Sequence, residues 1–288
     1  MIGPFRWAIW VVRNAPQLAR TVSGDPIGAL LWARDQLVER REYQRPPCPY
    51  EAEPEWERKL HAILRAPWPC AAAAEFWTLW PEVMRPFEAK GTRIGRGEFA
   101  GWGDGEPGLV RAVWCLVRHL RPVNVVETGV GRGFTSRFIL EGLERNGVGH
   151  LWSIDFPPVR APEFHAQIGA AVTLRLRHRW SYIKGTSRQH LPKLLARLGQ
   201  IDLFIHDSRH TEDNLMFELN QAWASLRPGG FVVADDIDYN WAFLSFGRAV
   251  AGHPVLNCYA EPLRPDPTRF EAKGLFGVAQ KKEMTAAS

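Results

Sequence analysis

The sequence predicts an α/β protein built on a parallel sheet with helices on both faces, and three observations carry that prediction. From residue 123 onward, short apolar runs rich in β-branched residues alternate with segments of helical periodicity. The first run (Val123, Val125, Val126) ends in Glu127, passes Gly129, Gly131 and Gly133, and enters a helix near Thr135. Such a strand, glycine loop and helix unit lets backbone approach a ligand closely and offers the unpaired N–H groups of a helix start. Acidic residues close the later runs: Asp155 after the second, Asp207 after the fourth, Asp235 and Asp236 after the fifth. In a parallel sheet these ends gather on one edge, where ligands bind.

The chain has 288 residues, enough for one large domain or a core with an appendage. A hydrophobic content of 45% with 23% charged residues is that of an ordinary globular protein. The net charge of +5 is spread thinly, with no concentrated basic stripe, which argues against a nucleic-acid partner. The four cysteines (Cys48, Cys70, Cys115, Cys258) are far apart and form no C-x-x-C pair. That spacing argues against zinc or a disulfide framework and fits a reducing compartment. No apolar stretch is long enough to span a bilayer, and signal-peptide flanks are absent, so the expected location is cytoplasmic. A homo-oligomer is compatible with the sequence, which does not specify an assembly.

Taken in order, residues 1–100 differ in character from the rest and read as an N-terminal helical region. Proline breaks at Pro46-Pro47-Cys48-Pro49 and Pro67-Trp68-Pro69 separate short helical patterns. The first pattern sets Phe5, Ile9 and Val12 against Arg6 and Arg13, is interrupted by Pro16, and offers a minor prospect of membrane-surface contact. Asp25-Pro26 is a start signal for a helix whose Ile27, Leu30, Leu31, Leu37 and Val38 share one face. Trp56, Leu60, Ile63 and Leu64 make a second stripe. Trp7, Trp10, Trp32, Trp56, Trp68, Trp77 and Trp80 crowd this region, which suits helices packed on the rest of the protein. A substrate lid or a partner surface is the alternative.

A glycine-rich loop at 101–108 precedes a helix carrying Leu109, Val113, Leu116 and Val117, and the organising strand follows. Its helix is stopped by Asn146-Gly147. The second strand spans 150–154 and ends at Asp155, two acceptor oxygens suited to the hydroxyls of a ribose. A third strand tip at 182–187 leads to a helix over 191–198, and the fourth strand, 201–205, runs into His206, Asp207, Ser208, Arg209 and His210. Leu215, Leu219, Ala222, Trp223 and Leu226 give the next helix, stopped by Arg227-Pro228-Gly229-Gly230. The fifth strand, 231–234, and a closing pair at 255–259 and 274–280 complete the chain.

The glycine spacing separates two chemistries. A dinucleotide loop is G-x-G-x-x-G, and here Phe134 occupies the position of the third glycine. The pattern E-x-G-x-G-x-G, Glu127 to Gly133, instead resembles motif I of the class I S-adenosylmethionine (SAM) methyltransferases. Asp155-Phe156-Pro157-Pro158 superficially matches the D-P-P-Y motif of amino-group methyltransferases but follows the second strand rather than the fourth. With IDLFIHDSRHTEDN and LRPGGFVVADD, the chain resembles an O-methyltransferase-like family related to macrolide-sugar and catechol O-methyltransferases. The resemblance covers residues 123–280. It implies a Rossmann-like, seven-stranded, mostly parallel sheet whose final strand is antiparallel, in a methyltransferase domain of residues 101–288. It further implies Glu127, Gly129, Gly131, Gly133, Asp155, Ser187 and Asp207 as SAM contacts. In metal-dependent relatives a divalent ion is held by acids at the fourth and fifth strand tips, here Asp207, Asp235 and Asp236.

Three carboxylates at one sheet edge are costly unless a cation neutralises them, and Mg²⁺ takes such oxygens. Its chemistry would be to acidify a substrate hydroxyl ahead of attack on the methyl group. Catechol-type relatives carry a lysine base three residues after the first acid, a position filled here by His210; with Asp207 it makes the candidate catalytic pair. Sugar-modifying relatives carry an Asp where this chain has Arg209, an anchor for an acidic group of the substrate. Strand alternation turns His206 towards the core. The expected activity is therefore O-methylation of a hydroxylated small molecule or sugar. A SAM-binding regulatory module without catalysis and an NAD-dependent oxidoreductase are the rivals.

Overall fold

The computed structural model describes residues 19, 22–42, 48–95, 97–261, 263 and 274–283. One sheet contains seven strands in the order β3-β2-β1-β4-β5-β7-β6. They are β1 Asn124–Thr128, β2 His150–Asp155, β3 Trp180–Lys184, β4 Ile201–His206, β5 Leu226–Ala234, β6 Val255–Tyr259 and β7 Leu275–Gln280. The first five are parallel, and β7 runs antiparallel to both β5 and β6. Around the sheet, among the described residues, lie α1 Pro26–Glu42, α2 Trp56–Ile63, α3 Ala71–Glu88, α4 Pro107–Leu120, α5 Phe134–Asn146, α6 Ser187–Leu198, α7 Glu212–Ser225 and α8 Ala242–Ala249. This is the expected Rossmann-like, mostly parallel architecture with an antiparallel final strand.

Strand alternation feeds two cores. Val125, Leu203, Ile205, Phe231 and Val233 join α2, α4 and α5 in one layer. Val126, Phe204, Val232 and Ala234 join α6, α7 and α8 in the other. Strands covered on both faces are predominantly apolar, and β4 is buried at all six positions, its Asp202 and His206 each held by hydrogen bonds. A third cluster ties α3 to α4 and α5 through Phe76, Trp114 and Phe138. Each such side chain stabilises the fold by about 1.5–3 kcal/mol, so the strand tips stand on a rigid base. Asp202 adds a polar staple, accepting the Val123 and Asn124 N–H groups at 2.9 and 2.8 Å where β1 begins.

Three expectations need correction. Leu226 is strand rather than helix: β5 starts five residues before Phe231, and its pairing with β4 shifts register between Ile201 and Leu203. The Pro228-Gly229-Gly230 stop is thus an irregularity within the strand. The helix after β3 begins at Ser187 rather than Leu191, because Thr186 and Gln189 form a reciprocal capping box. The apolar stripe of α1 is not its docking face. Ile27, Leu30 and Leu37 are 61%, 71% and 57% exposed, whereas Gly28 and Asp35 are buried.

Polar contacts hold α1 instead. Glu42 accepts the Glu212 and Asp213 N–H groups at 2.7 and 3.2 Å, and Arg34 meets Asp213 at 2.8 Å. Beneath α1 lie the starts of α6 and α7, which present N–H groups and cations. The Trp56 stripe, by contrast, packs as expected: Trp56 and Leu60 enter the first core with Ile63 and Leu64 against it. The helix expected over residues 5–16, with its membrane contact, lies outside the described residues. No described helix is long and apolar enough to cross a membrane.

Candidate functional site

Strand order reverses between β1 and β4, the position where open α/β sheets bind ligands beyond their strand ends. Backbone hydrogen bonds carry the ladder past the tips. Gly129 N–H donates to Ile154 O at 2.9 Å, Asp207 N–H to Thr128 O at 2.8 Å, and Asp235 N–H to His206 O at 2.9 Å. The tips are therefore fixed relative to one another. A cavity of about 700 Å³ opens over them, within the roughly 300–1,000 Å³ typical of small-molecule sites. Gly129, Gly131, Gly133, Asp155, Ser187, Asp207, His210, Asp235 and Asp236 all line it.

The glycine loop forms one wall. Gly129 has φ +84°, and a Cβ there would lie 1.9 Å from the Asp207 carbonyl oxygen, so β1 and β4 meet through a bare backbone. Gly131 also has positive φ, +50°, but among the described residues a Cβ there would meet only the Phe99 ring, at 3.7 Å. Gly133 caps α5 and rests against Gly169. Sequence reasoning missed Arg132, which is buried between these glycines. It donates to Gln167 Oε1 at 2.9 Å and Glu98 O at 2.8 Å and pairs with Asp104, fastening the segment around 98–104 to the loop. An arginine inside a glycine turn was the visible signal.

Asp155 stands at the tip of β2. Burial lifts its carboxyl to about 6, against the Val130 and Phe156 N–H groups that donate to it. Ser187 opens α6, with its hydroxyl 3.4 Å from Asn214 Oδ1. Glu127, expected at the cofactor, does not line the cavity. It is buried behind the loop, where Ser136 and Ser153 each donate to its Oε2 at 2.7 Å, and burial pushes its carboxyl up to about 7.

A pH dependence follows from Glu127. Below the ordinary value of 4.5 the carboxyl is protonated in both folded and unfolded chains, so it contributes nothing. As pH rises, the unfolded chain releases this proton first while the folded chain keeps it up to about 7, so this residue's contribution to stability falls through that window. Glu127→Gln keeps a neutral side chain between the two serines and is expected to flatten the fall. Urea denaturation of parent and variant at pH 5 and pH 8 measures it.

The acidic cluster lines the cavity beside the loop. Burial raises the Asp207 carboxyl well above its ordinary range, reinforced by the charges of Asp235 and Asp236. Asp235 is raised likewise, by burial and then by Glu106, a cavity residue that sequence reasoning did not single out. Donor atoms of Asp207, His210 and Asp235 lie within 4.8 Å of one another. Asp236, the third acid of the expected trio, instead has Oδ2 3.6 Å from His210 Nε2, and Asp207 Oδ1 is 3.9 Å from the same nitrogen. Asp235 Oδ1 is buried without a hydrogen-bond partner among the described residues.

Behind this wall His206 is fully buried, as strand alternation required, with Nδ1 2.6 Å from Glu218. Glu218 also accepts from Ser208 Oγ at 2.8 Å, from Asn214 Nδ2 at 3.0 Å and from Thr128. Burial would raise this carboxyl, but His206 and the hydrogen bonds overcome that and bring it to about 2. The network fixes the turn that carries Asp207 and His210. Arg209, expected to meet an acidic substrate group, pairs with Glu39 at 2.8 Å and approaches Asp35 at 3.7 Å. Trp32, Asp35, Gln36, Glu39 and Glu42 of α1 roof the cavity at that side.

Comparison with known proteins places this geometry in context. A family model described as a methyltransferase domain matches residues 126–237, from β1 to just beyond the tip of β5. No curated protein matches the chain. An O-methyltransferase from Bacillus cereus, solved in complex with SAH, is 14% identical with a TM-score of 0.50, over 77% of this chain and 96% of its own. At that identity the likeness is one of fold. The O-methyltransferase TomG from Streptomyces achromogenes, involved in tomaymycin synthesis and solved with SAM, is 14% identical over 80% of this chain and 100% of its own, with a TM-score of 0.46. The SAH-bound methyltransferase PaMTH1 from Podospora anserina is 13% identical over 82% of this chain and 99% of its own, with a TM-score of 0.44.

Proposed function

Starting from a chain that carries a methyltransferase domain on a Rossmann-like sheet, we propose a SAM-dependent enzyme that methylates a hydroxyl of a small molecule or sugar with the help of Mg²⁺. The observation that carries the reading is the convergence of the Gly129–Gly131–Gly133 turn and Asp155 on one cavity at the switch point of the sheet. The glycine turn accepts the amino-acid end of SAM, and the Asp155 carboxylate accepts hydrogen bonds from the ribose hydroxyls. Ser187 borders the adenine. The methyl group then points towards the wall formed by Asp207, His210, Asp235 and Asp236.

The donor set fits a divalent cation. Asp207 and Asp235 are carboxyls raised by burial and by the charges of neighbouring carboxylates, one of them with an unpartnered buried oxygen among the described residues, and oxygen-rich sites suit Mg²⁺. With these aspartates, Asp236 completes the proposed metal set. A bound cation supplies Lewis acidity to the acceptor hydroxyl. His210 takes the hydroxyl proton on Nε2, the nitrogen that faces Asp207 and Asp236.

A second reading has a specific observation behind it: His210 shares a group of donor atoms within 4.8 Å with Asp207 and Asp235, so it would be a ligand rather than the base. His210→Ala separates the two. As the base, its loss lowers turnover by about 10²–10⁴-fold with Mg²⁺ and SAM affinities unchanged. Weakened Mg²⁺ binding in the variant assigns it to the metal instead.

The activity itself is tested by a metabolite screen with methyl-labelled SAM, in which a hydroxylated acceptor gains label. SAM binding without transfer to any acceptor would leave a regulatory module. NAD chemistry is disfavoured by the glycine spacing, since Phe134 fills the third glycine position of the dinucleotide pattern.

A further inference from the structure

A second cluster of metal-ligating side chains lies away from the cavity. His61 is in α2, Cys70 is the N-cap of α3, and His119 is in the last turn of α4. None of them lines the cavity. Glu106, which does line it, precedes α4, and thirteen residues at about 1.5 Å each put His119 roughly 20 Å along the helix from that end. The expectation that the cysteines cannot serve a metal held only for sequence spacing. Folding brings one donor atom from each of these three residues within 4.8 Å of the others.

The surroundings are built for ligation. His61 Nδ1 lies 2.7 Å from Glu57 O, which fixes the tautomer with the Nδ1 proton given to that carbonyl and the Nε2 lone pair free to ligate. That Nε2 sits 3.0 Å from Cys70 Sγ. The Ala73 N–H at the start of α3 donates to the same sulfur at 3.3 Å. His119 Nε2 is buried and completes no hydrogen bond of ordinary geometry among the described residues. The His61 and His119 rings stand at 84° with centroids 5.4 Å apart, and Trp68 covers His61 at 4.6 Å. Zn–N distances near 2.0–2.1 Å and Zn–S near 2.3 Å imply donor separations of about 3.3–3.7 Å in a tetrahedron, a small adjustment from what is present.

We propose that His61, Cys70 and His119 form a structural binding site for a zinc-type divalent cation, clamping α2, α3 and α4 together at the end of the fold remote from the cavity. Two imidazoles and a thiolate are a borderline-soft set that selects zinc over magnesium. Cys115, one turn before His119 on α4, lies beside the Cys70 sulfur. Cys115, His119, the Ala73 N–H and His61 all converge on that sulfur.

The test titrates Co²⁺ into the metal-free full-length chain under reducing conditions. Binding here gives intense tetrahedral d–d absorption and a sulfur-to-cobalt charge-transfer band, saturating at one equivalent and bleached by Zn²⁺. The oxygen donors of the Asp207 and Asp235 cluster give no such band, so Asp235→Asn is expected to keep it. Cys70→Ser is expected to abolish it, and His119→Ala to weaken Co²⁺ binding at least about tenfold, the scale lost when even an outer-shell partner is removed. Absence of the charge-transfer band in the parent overturns the proposal whether or not the variants fold. An undiminished band in a folded Cys70→Ser protein overturns it as well.

Discussion

Gly131→Val is expected to abolish SAM binding in a protein that still folds. Among the described residues the only neighbour a Cβ would meet is the Phe99 ring at 3.7 Å, so the side chain has room and projects beside the cavity. Its φ of +50° adds strain, on the order of 1–3 kcal/mol for a non-glycine residue, below the roughly 5–15 kcal/mol that stabilises a typical protein. Affinity is expected to fall more than about 100-fold, roughly 3 kcal/mol, because the backbone can no longer approach the ligand. Gly129→Val should fail differently. A Cβ there would lie 1.9 Å from the Asp207 carbonyl oxygen, and neither backbone can give way within the ladder, so that variant should lose the fold itself. Thermal melts followed by calorimetry with SAM distinguish the two; equal SAM affinity in parent and Gly131→Val would remove the glycine loop from the site.

The second large effect belongs to Asp207. Asp207→Asn and Asp235→Asn each remove one negative charge from a cluster whose carboxyls are held well above their ordinary range by burial and repulsion. If those charges exist to hold Mg²⁺, either variant loses its Lewis acidity, worth several kcal/mol, and turnover falls at least about 100-fold. SAM affinity should stay near that of the parent, since the proposed cation would organise the acceptor rather than the cofactor. Relief of repulsion should make both variants more stable than the parent when Mg²⁺ is absent. Chelation of the parent should reproduce the loss of turnover, with recovery on adding Mg²⁺. Full activity after exhaustive chelation would make the acidic cluster structural.

How much of this was legible depended on how local the cause is. The glycine loop and the strand ends at Asp155, Asp207 and Asp235 are written in contiguous residues, and the parallel sheet follows from alternation of short runs and helices. The register irregularity at Leu226 was hidden because Pro228-Gly229-Gly230 normally ends a segment, and only pairing with β4 keeps the strand going. Thr186 and Gln189 carried a readable capping signal that fixes the true start of α6.

Glu218, by contrast, looks like any helix carboxylate. Its role comes from facing His206, Thr128 and Ser208, which only the folded sheet supplies. The α1 helix was misread because an apolar stripe ordinarily marks the buried face. Here the surface below α1 is made of helix starts and arginines, so its carboxylates turn inward and Leu30 and Leu37 outward. The His61, Cys70 and His119 cluster is likewise invisible in linear spacing, since α2, α3 and α4 must fold together before three donors meet.

The central claim, that the cavity over the strand tips holds SAM, is tested most directly by isothermal titration of the parent protein with SAM and, separately, with NAD. Saturable binding of one SAM per chain, with no heat from NAD, is the predicted result. Binding of NAD with no SAM signal would contradict it.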